Sequence, residues 1–152
     1  NFLWADAYAE NLVSRGFEFT NETIELITTF ETFEHFYNPL NEIEKMLKIS
    51  TNILFTTLLY PTPIPSPSEW FYYGLSHGQH ISFYQLKTLR IIAQKYNLKI
   101  YSNGTDFHLF TSKKIRNFKW IIINNDLFSS VLDLYSKNKL LSKTWEDHLK
   151  VR

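Results

Sequence analysis

The sequence has no cysteine, which excludes disulfide bonds and metal sites built on thiolates. It also has no dominant sign of charge, because 16 lysine and arginine residues are mixed with 15 aspartate and glutamate residues. Nucleic-acid binding needs clustered lysine and arginine, so we predict no nucleic-acid partner. No apolar run reaches the roughly 20 residues of a membrane-spanning helix, and we expect no signal peptide. The composition therefore predicts a cytoplasmic protein without a membrane partner.

Hydrophobic residues are abundant by contrast, at 44% of the chain, and aromatic residues make up 17%. These fractions are far from those of disordered chains. A domain of 152 residues buries about 68–70% of the surface that its unfolded chain exposes. A hydrophobic core can therefore stabilise the chain without disulfides, and we predict one folded domain.

The stretch from residue 25 to residue 58 has the pattern of one β–α–β unit. Residues 26–33 are rich in β-branched and aromatic residues, as a buried strand is. Asn38 and Pro39 then supply a capping side chain and a helix start. The apolar stripe of that helix is Leu40, Ile43 and Leu47. Residues 52–58 form the next predicted strand. Ligands of open α/β sheets bind at the carboxyl ends of parallel strands, so polar residues after the first strand are candidate site residues.

Further along the chain, the residues from Ser82 to Gln85 have the S-x-x-Q pattern of a capping box and predict that a helix begins there. Its predicted buried face is Leu86, Leu89, Ile92, Ala93 and Tyr96. Asn103-Gly104 predicts a hairpin between strands at residues 98–102 and 106–112. His108, within that hairpin, is expected to be structural.

Two blocks of the sequence resemble class I S-adenosylmethionine-dependent methyltransferases, including sugar C-methyltransferases. The block TTFETFEHFYNPLNEIEKMLK is similar to the segment after the family's fourth strand, where E-x-x-E-H precedes a D/N-P helix start. The block HGQHISFYQLKTLRIIAQKYNL is similar to the E-H-x-x-x-[FY] segment before a late helix. The blocks lie in the family's order and at about the family's separation, and the resemblance covers roughly residues 1–112.

The resemblance implies an α/β fold with a Rossmann-like sheet that is mostly parallel and ends in an antiparallel hairpin. Residues 1–112 would form a partial methyltransferase domain. Residues 113–152 would form a C-terminal helical extension and a candidate homodimer contact. Within that extension, residues 118–123 are apolar and of open type, whereas residues 126–138 and 144–150 have helical patterns.

Glycine is scarce in a way that matters for this resemblance. The four glycines are Gly16, Gly74, Gly78 and Gly104, and no two of them form the G-x-G of a cofactor-binding turn. Only glycine lets the backbone approach such a cofactor closely. The chain also begins at Asn1 without an initiator methionine. We therefore expect a fragment that lacks the first strand and the glycine-rich turn, with a natural half-domain as the alternative.

The first residue that the resemblance assigns to the cofactor site is Asp6. In the family, an acidic residue at the end of the second strand accepts hydrogen bonds from the cofactor's ribose hydroxyls, and Asp6 ends the apolar run at residues 2–5. The alternative is that Asp6 caps a helix at residues 7–14.

Thr29, Phe30 and Glu31 fall where family members contact the methionine and sulfonium part of S-adenosylmethionine. A carboxylate there favours the positive sulfonium electrostatically, although Glu31 could instead accept hydrogen bonds from backbone donors at the strand end. His35 is assigned to the same cofactor pocket. Glu34 and His35 could be read as a metal pair, but no further ligand follows at suitable spacing. We therefore expect no metal and a hydrogen-bonded structural pair.

An aromatic segment follows the proline-rich residues 61–68, which predict an extended loop. We assign Trp70, Tyr72, Tyr73 and His77 to substrate binding, because a stiff loop that carries aromatic rings can close over an acceptor. The alternative is that these rings are buried in the core.

His80 is the candidate catalytic residue, because histidine can remove the acceptor's proton near neutral pH. It matches the last histidine of a Tyr-His-Glu-His-like stretch in the sugar C-methyltransferases. Gln79 and Gly78 depart from that stretch, so a hydrogen-bonding role is the alternative.

The predicted function is methyl transfer from S-adenosylmethionine to a small-molecule acceptor such as a sugar or secondary metabolite. Two alternatives from other classes remain open. One is a cofactor-free binding module that uses the aromatic loop. The other is a different Rossmann-type enzyme that acts on nucleotide sugars.

Overall fold

The computed structural model describes residue 16, residues 18–76 and 78–124, and residue 149. The chain divides into two compact units, one of residues 23–124 and one of residues 1–22 with 125–152. The elements below belong to the first unit. Asp6, the helix predicted over residues 126–138 and all but Leu149 of the helix predicted over residues 144–150 lie outside the described residues. The predicted homodimer contact therefore stays a prediction.

The described part of this unit contains strands and helices in alternation, which confirms the α/β class. The elements are β1 (Ile27–Thr29), α1 (Pro39–Leu47), β2 (Asn52–Thr56), α2 (Leu86–Lys95), β3 (Lys99–Ser102), β4 (Phe107–Thr111) and α3 (Asn117–Ile123), with single 3-10 turns at Phe33–His35 and Phe71–Tyr73. The apolar run at residues 118–123 is thus helical. No helix in the described residues is both long enough and apolar enough to cross a membrane.

The four described strands form one mixed sheet in the order β1-β2-β4-β3. β1 pairs with β2 in parallel, and β4 pairs antiparallel with both β2 and β3. Three strands therefore run in one direction and β4 runs in the other. The hairpin predicted at Asn103-Gly104 is confirmed, and its second strand lies between β2 and β3. The carboxyl ends of β1 and β2 lie side by side at one edge.

The core lies where α1 and α2 pack against this sheet. β2 alternates between half-buried and buried residues, and it places Ile53 and Phe55 in the core. The Phe33 and Phe55 rings stack with their centroids 4.0 Å apart, and both residues are fully buried. The core members from the helices are Ile43 of α1 and Leu89, Ile92 and Ala93 of α2. The apolar faces predicted for both helices are therefore confirmed except at Leu40, which is 39% exposed.

Helix α1 begins where the sequence predicts. Pro39 is its first residue, and the Asn38 side chain accepts a hydrogen bond from the Asn41 amide at 3.3 Å. The first strand is shorter than predicted, because it ends at Thr29 and Glu31 has a left-handed φ of 49° that breaks the extended backbone.

The capping box predicted at residues 82–85 is wrong. Helix α2 begins at Leu86, and the Gln85 side chain forms no capping hydrogen bond. The Ser82 hydroxyl donates to the Phe36 carbonyl at 2.6 Å, and the Gln85 amide donates to the Thr62 hydroxyl. These tertiary partners replace the local capping bonds, so residues 82–85 run extended into the helix.

Candidate functional site

The site is built where residues 33–36, just after β1, meet residues 79–84, just before α2. The Ile81 and Ser82 amides both donate to the Glu34 carbonyl, at 2.8 and 3.0 Å. The Tyr84 hydroxyl donates to the Phe33 carbonyl at 2.9 Å. Together with the bond from Ser82 to Phe36 noted above, these bonds join two segments far apart in sequence and fix their side chains relative to each other.

This crossing brings together Glu34, His35 and His80. One potential ligand atom from each of the three side chains lies within 4.8 Å of the others. The two imidazole rings meet edge to face, with centroids 4.9 Å apart and planes at 78°. Glu34 is fully buried, His80 is half-buried and His35 is exposed. The group therefore reaches from the core to the surface.

Both histidine rings are oriented by backbone carbonyls. His35 Nδ1 lies 2.8 Å from the Gln79 carbonyl oxygen, and His80 Nδ1 lies 2.6 Å from that of Tyr72. A carbonyl oxygen only accepts hydrogen bonds, so Nδ1 of each ring carries the proton. In the neutral form of each ring the lone pair is consequently on Nε2, the nitrogen that can act as a base or as a metal ligand.

Glu34 is buried without the hydrogen bonds that a carboxylate requires. Neither of its side-chain oxygens accepts one with acceptable geometry from the residues that the structure describes. The predicted hydrogen-bonded pair of Glu34 and His35 is therefore not observed. Tyr72 is close enough to be affected: burial is the main cause that raises the pKa of its hydroxyl to about 12, and Glu34 adds to that rise. The Tyr72 hydroxyl itself accepts a hydrogen bond from the Leu58 amide at 3.2 Å.

The predicted cofactor residues Thr29, Phe30 and Glu31 lie at the shared carboxyl edge of β1 and β2. Phe30 is 52% exposed, although it follows directly on a strand of the sheet. The Thr56 hydroxyl accepts a hydrogen bond from the Glu31 amide and donates one to the Glu31 carboxylate, both at 2.8 Å. Glu31 is thus held by a side chain of the neighbouring strand rather than by backbone donors, and its carboxylate is fixed at this edge.

The aromatic segment after the proline-rich loop is mostly buried. Trp70 and Tyr72 are only 8% and 6% exposed. For these two residues the alternative interpretation, burial in the core, is the one observed. Tyr73 is half-buried. Its hydroxyl donates a hydrogen bond to the Pro65 carbonyl at 2.9 Å, which connects the proline-rich loop to the aromatic segment. Phe71 is 83% exposed and was not among the predicted substrate residues. His77 lies outside the described residues.

A cavity of about 480 Å³ lies beside the beginning of α2 and the turn of the β3–β4 hairpin. It is lined by residues 58–62, 85–87, 104 and 105. No predicted site residue lines it. No local pattern in the sequence indicates this cavity, because it forms between three segments that are separated along the chain.

The third member of the Glu34–His35–His80 group was also missed as a partner. His80 is 45 positions beyond His35 in the sequence, so no ligand spacing within a local motif indicates that it joins this group. His80 belongs to the second block that resembles the methyltransferases, but only the fold shows that the two blocks meet.

Comparison with known proteins gave one finding. A family model described as a methyltransferase domain matches residues 4–103. No curated protein and no solved structure matches the chain. The match covers both segments that build the site, and it covers strands β1 and β2, helices α1 and α2, and β3.

Proposed function

Because the chain belongs to the methyltransferase-domain family, we propose that it transfers a methyl group from S-adenosylmethionine to a small-molecule acceptor. The family match is the observation that carries this proposal. The sheet supports it, since three strands run in one direction and the last strand of the hairpin is antiparallel, as expected for a Rossmann-like class I methyltransferase.

The cofactor would bind at the carboxyl edge of β1 and β2, the place where open α/β sheets bind ligands. The residues present there fit its methionine and sulfonium part. Phe30 offers an exposed ring, and Thr56 orients the Glu31 carboxylate. When bound, S-adenosylmethionine supplies an electron-poor methyl group next to a positive sulfur, and a fixed carboxylate stabilises that charge. Asp6 is the proposed partner of the ribose hydroxyls.

The acceptor would approach from the side of the aromatic segment and His80. Methyl transfer depends mainly on alignment of the acceptor atom with the methyl group, which a rigid site provides. His80 is proposed to receive the acceptor's proton on Nε2, because its Nδ1 donates to the Tyr72 carbonyl. A sugar or another small metabolite is the proposed acceptor class, by analogy at the level of the fold.

Calorimetric titration with S-adenosylmethionine and S-adenosylhomocysteine tests this proposal. The two ligands differ in charge at sulfur, since only the methyl donor carries a sulfonium. If Glu31 acts on that charge, Glu31→Gln should weaken binding of the donor about tenfold or more, because hydrogen bonds and contacts to charged groups contribute about 1.5–3 kcal/mol. The affinity for S-adenosylhomocysteine, whose sulfur is uncharged, should change less.

The matched control is Glu44→Gln, which removes an exposed carboxylate from within helix α1. It should leave both affinities unchanged. The titrations are run on residues 1–152 and on the protein isolated from its native source. Failure of both proteins to bind either ligand would refute the proposed function. Equal loss for both ligands in Glu31→Gln would refute the role of Glu31 toward the sulfonium.

A binding module without cofactor is the second candidate, and one observation favours it. Large apolar side chains at Ile64, Phe71 and Leu75 are 69%, 83% and 69% exposed on the loop after β2. Exposed apolar surface of this kind often marks an interaction site. Under this alternative, Phe71→Ala would abolish partner capture and S-adenosylhomocysteine would not bind. Binding of S-adenosylhomocysteine would exclude it as the sole function.

A further inference from the structure

The buried Glu34 carboxylate has the Tyr72 hydroxyl as a polar neighbour, but this neighbour carries no positive charge that would balance a carboxylate. Glu34 is fully buried, and its oxygens accept no hydrogen bond of acceptable geometry from the described residues. A buried charge without partners is strongly unfavourable, so buried carboxylates are normally paired or bind a metal ion. Among the described residues, the salt bridge present is between Lys45 and Glu42 on helix α1, and it does not involve Glu34.

The two imidazoles beside Glu34 have the orientation of metal ligands. A histidine that binds a metal through one nitrogen nearly always donates its other N–H to a carbonyl or carboxylate, which fixes the tautomer and the ring. His35 donates from Nδ1 to the Gln79 carbonyl, and His80 does the same to the Tyr72 carbonyl. Each ring therefore carries its proton on Nδ1, and Nε2 is the nitrogen that would bind an ion.

We propose that Glu34, His35 and His80 bind a divalent first-row transition-metal ion. Two imidazole nitrogens and one carboxylate form a donor set that suits zinc, iron, cobalt or manganese better than magnesium or calcium, which prefer oxygen ligands. One candidate ligand atom from each side chain lies within 4.8 Å of the others, where either ring nitrogen of a histidine is counted. In a tetrahedral site with bonds of about 2.1 Å, ligand atoms are about 3.4 Å apart, so the three side chains would move closer together when an ion binds.

Three protein ligands leave coordination positions open, which is typical of sites that bind a further ligand rather than of purely structural ones. The site goes beyond the proposed methyl transfer and does not depend on it, because metal binding is measurable without any activity. It does compete with one part of that proposal: while an ion is bound to Nε2 of His80, this nitrogen cannot receive a proton from the acceptor.

Cobalt(II) is the probe for the test, because its visible absorption reports the coordination of nitrogen ligands and because it replaces zinc and iron in such sites. The chain is freed of metal with a chelator, titrated with Co²⁺ and then challenged with Mg²⁺. We expect one Co²⁺ to bind per chain, with visible absorption bands typical of Co²⁺ that has fewer than six ligands. A large excess of Mg²⁺ should not displace it.

The variants are His35→Gln and Glu34→Gln, with Glu44→Gln as the matched control. His35 is exposed, so its substitution leaves the core intact, and circular dichroism verifies that Glu34→Gln is folded. Loss of even an outer-shell partner costs about 10–100-fold in metal affinity, so each site variant should lose at least about tenfold. The control should bind like the unchanged chain.

Three results would overturn the proposal. The first is absence of stoichiometric Co²⁺ binding by the unchanged chain. The second is an affinity of folded His35→Gln equal to that of the unchanged chain, which would mean that the ion binds elsewhere. The third is displacement of Co²⁺ by Mg²⁺ at similar concentration, which would exclude a transition-metal site. None of these results bears on binding of S-adenosylmethionine, so the two proposals fail or succeed separately.

Discussion

The two hydrogen bonds between Thr56 and Glu31 allow a direct test of whether Thr56 positions Glu31 at the carboxyl ends of the strands. Thr56 ends β2, and its hydroxyl makes two hydrogen bonds to Glu31, one from the amide and one to the carboxylate, each at 2.8 Å. Glu31 has a φ of 49°, a conformation that side chains other than glycine seldom adopt. The substitution Thr56→Val removes both bonds and preserves the shape and β-branching of the side chain.

The expected magnitude follows from these two bonds. A neutral hydrogen bond contributes about 0.5–1.5 kcal/mol to stability and one to a charged group about 1.5–3 kcal/mol. Both values are reduced here because Glu31 is exposed to solvent, which screens its charge. We therefore expect the free energy of unfolding to fall by only about 1 kcal/mol, or about 2–4 °C in Tm.

Binding should respond more strongly than stability. Without the Thr56 hydroxyl, the Glu31 carboxylate is no longer fixed, and affinity for S-adenosylmethionine should fall about tenfold, as for the loss of one charged contact. Urea denaturation and calorimetry measure the two effects. Thr56→Ser is the control, because it keeps the hydroxyl and should bind like the unchanged chain. A valine variant that binds the methyl donor as tightly as the serine variant would refute the idea that Thr56 positions Glu31 for the cofactor.

Two further predictions concern stability. His108 is buried, and its Nε2–H donates to the Thr57 carbonyl at 3.1 Å; burial lowers the pKa of its ring from 6.5. Between pH 6.5 and the lower pKa of the folded state the unfolded chain binds more protons, so the free energy of unfolding should fall as the pH decreases through this window. In His108→Gln this slope should disappear, and urea denaturation at several pH values that shows the same slope in both proteins would contradict the assignment. Phe55→Ala should cost about 3–5 kcal/mol, since it opens a cavity beside the stacked Phe33 ring. Phe71→Ala should change stability by less than about 0.5 kcal/mol because its ring is exposed, and a similar loss for both in denaturant titrations would contradict the burial pattern.

Elements whose signals are local could be predicted well. The helix start at Asn38 and Pro39 depends on one capping side chain and one fixed φ, and the helix begins at Pro39 as predicted. The hairpin at Asn103-Gly104 depends on two adjacent residues that accept turn conformations, and it is present. The capping box at residues 82–85 was a prediction from a local pattern of the same kind. It is wrong because the Ser82 hydroxyl donates its hydrogen bond to the distant Phe36 carbonyl.

The sequence by itself determined the class of fold, the two helices with their apolar faces and the residues at the strand ends. These follow from periodicity and from backbone preferences within a few positions. Only the tertiary structure decided that β4 lies between β2 and β3, that Trp70 and Tyr72 are buried while Phe71 is exposed, and that His80 lies beside Glu34 and His35. The physical reason is that these arrangements depend on hydrogen bonds and packing between separate segments of the chain. The environment of each side chain is therefore set by residues that no local pattern specifies.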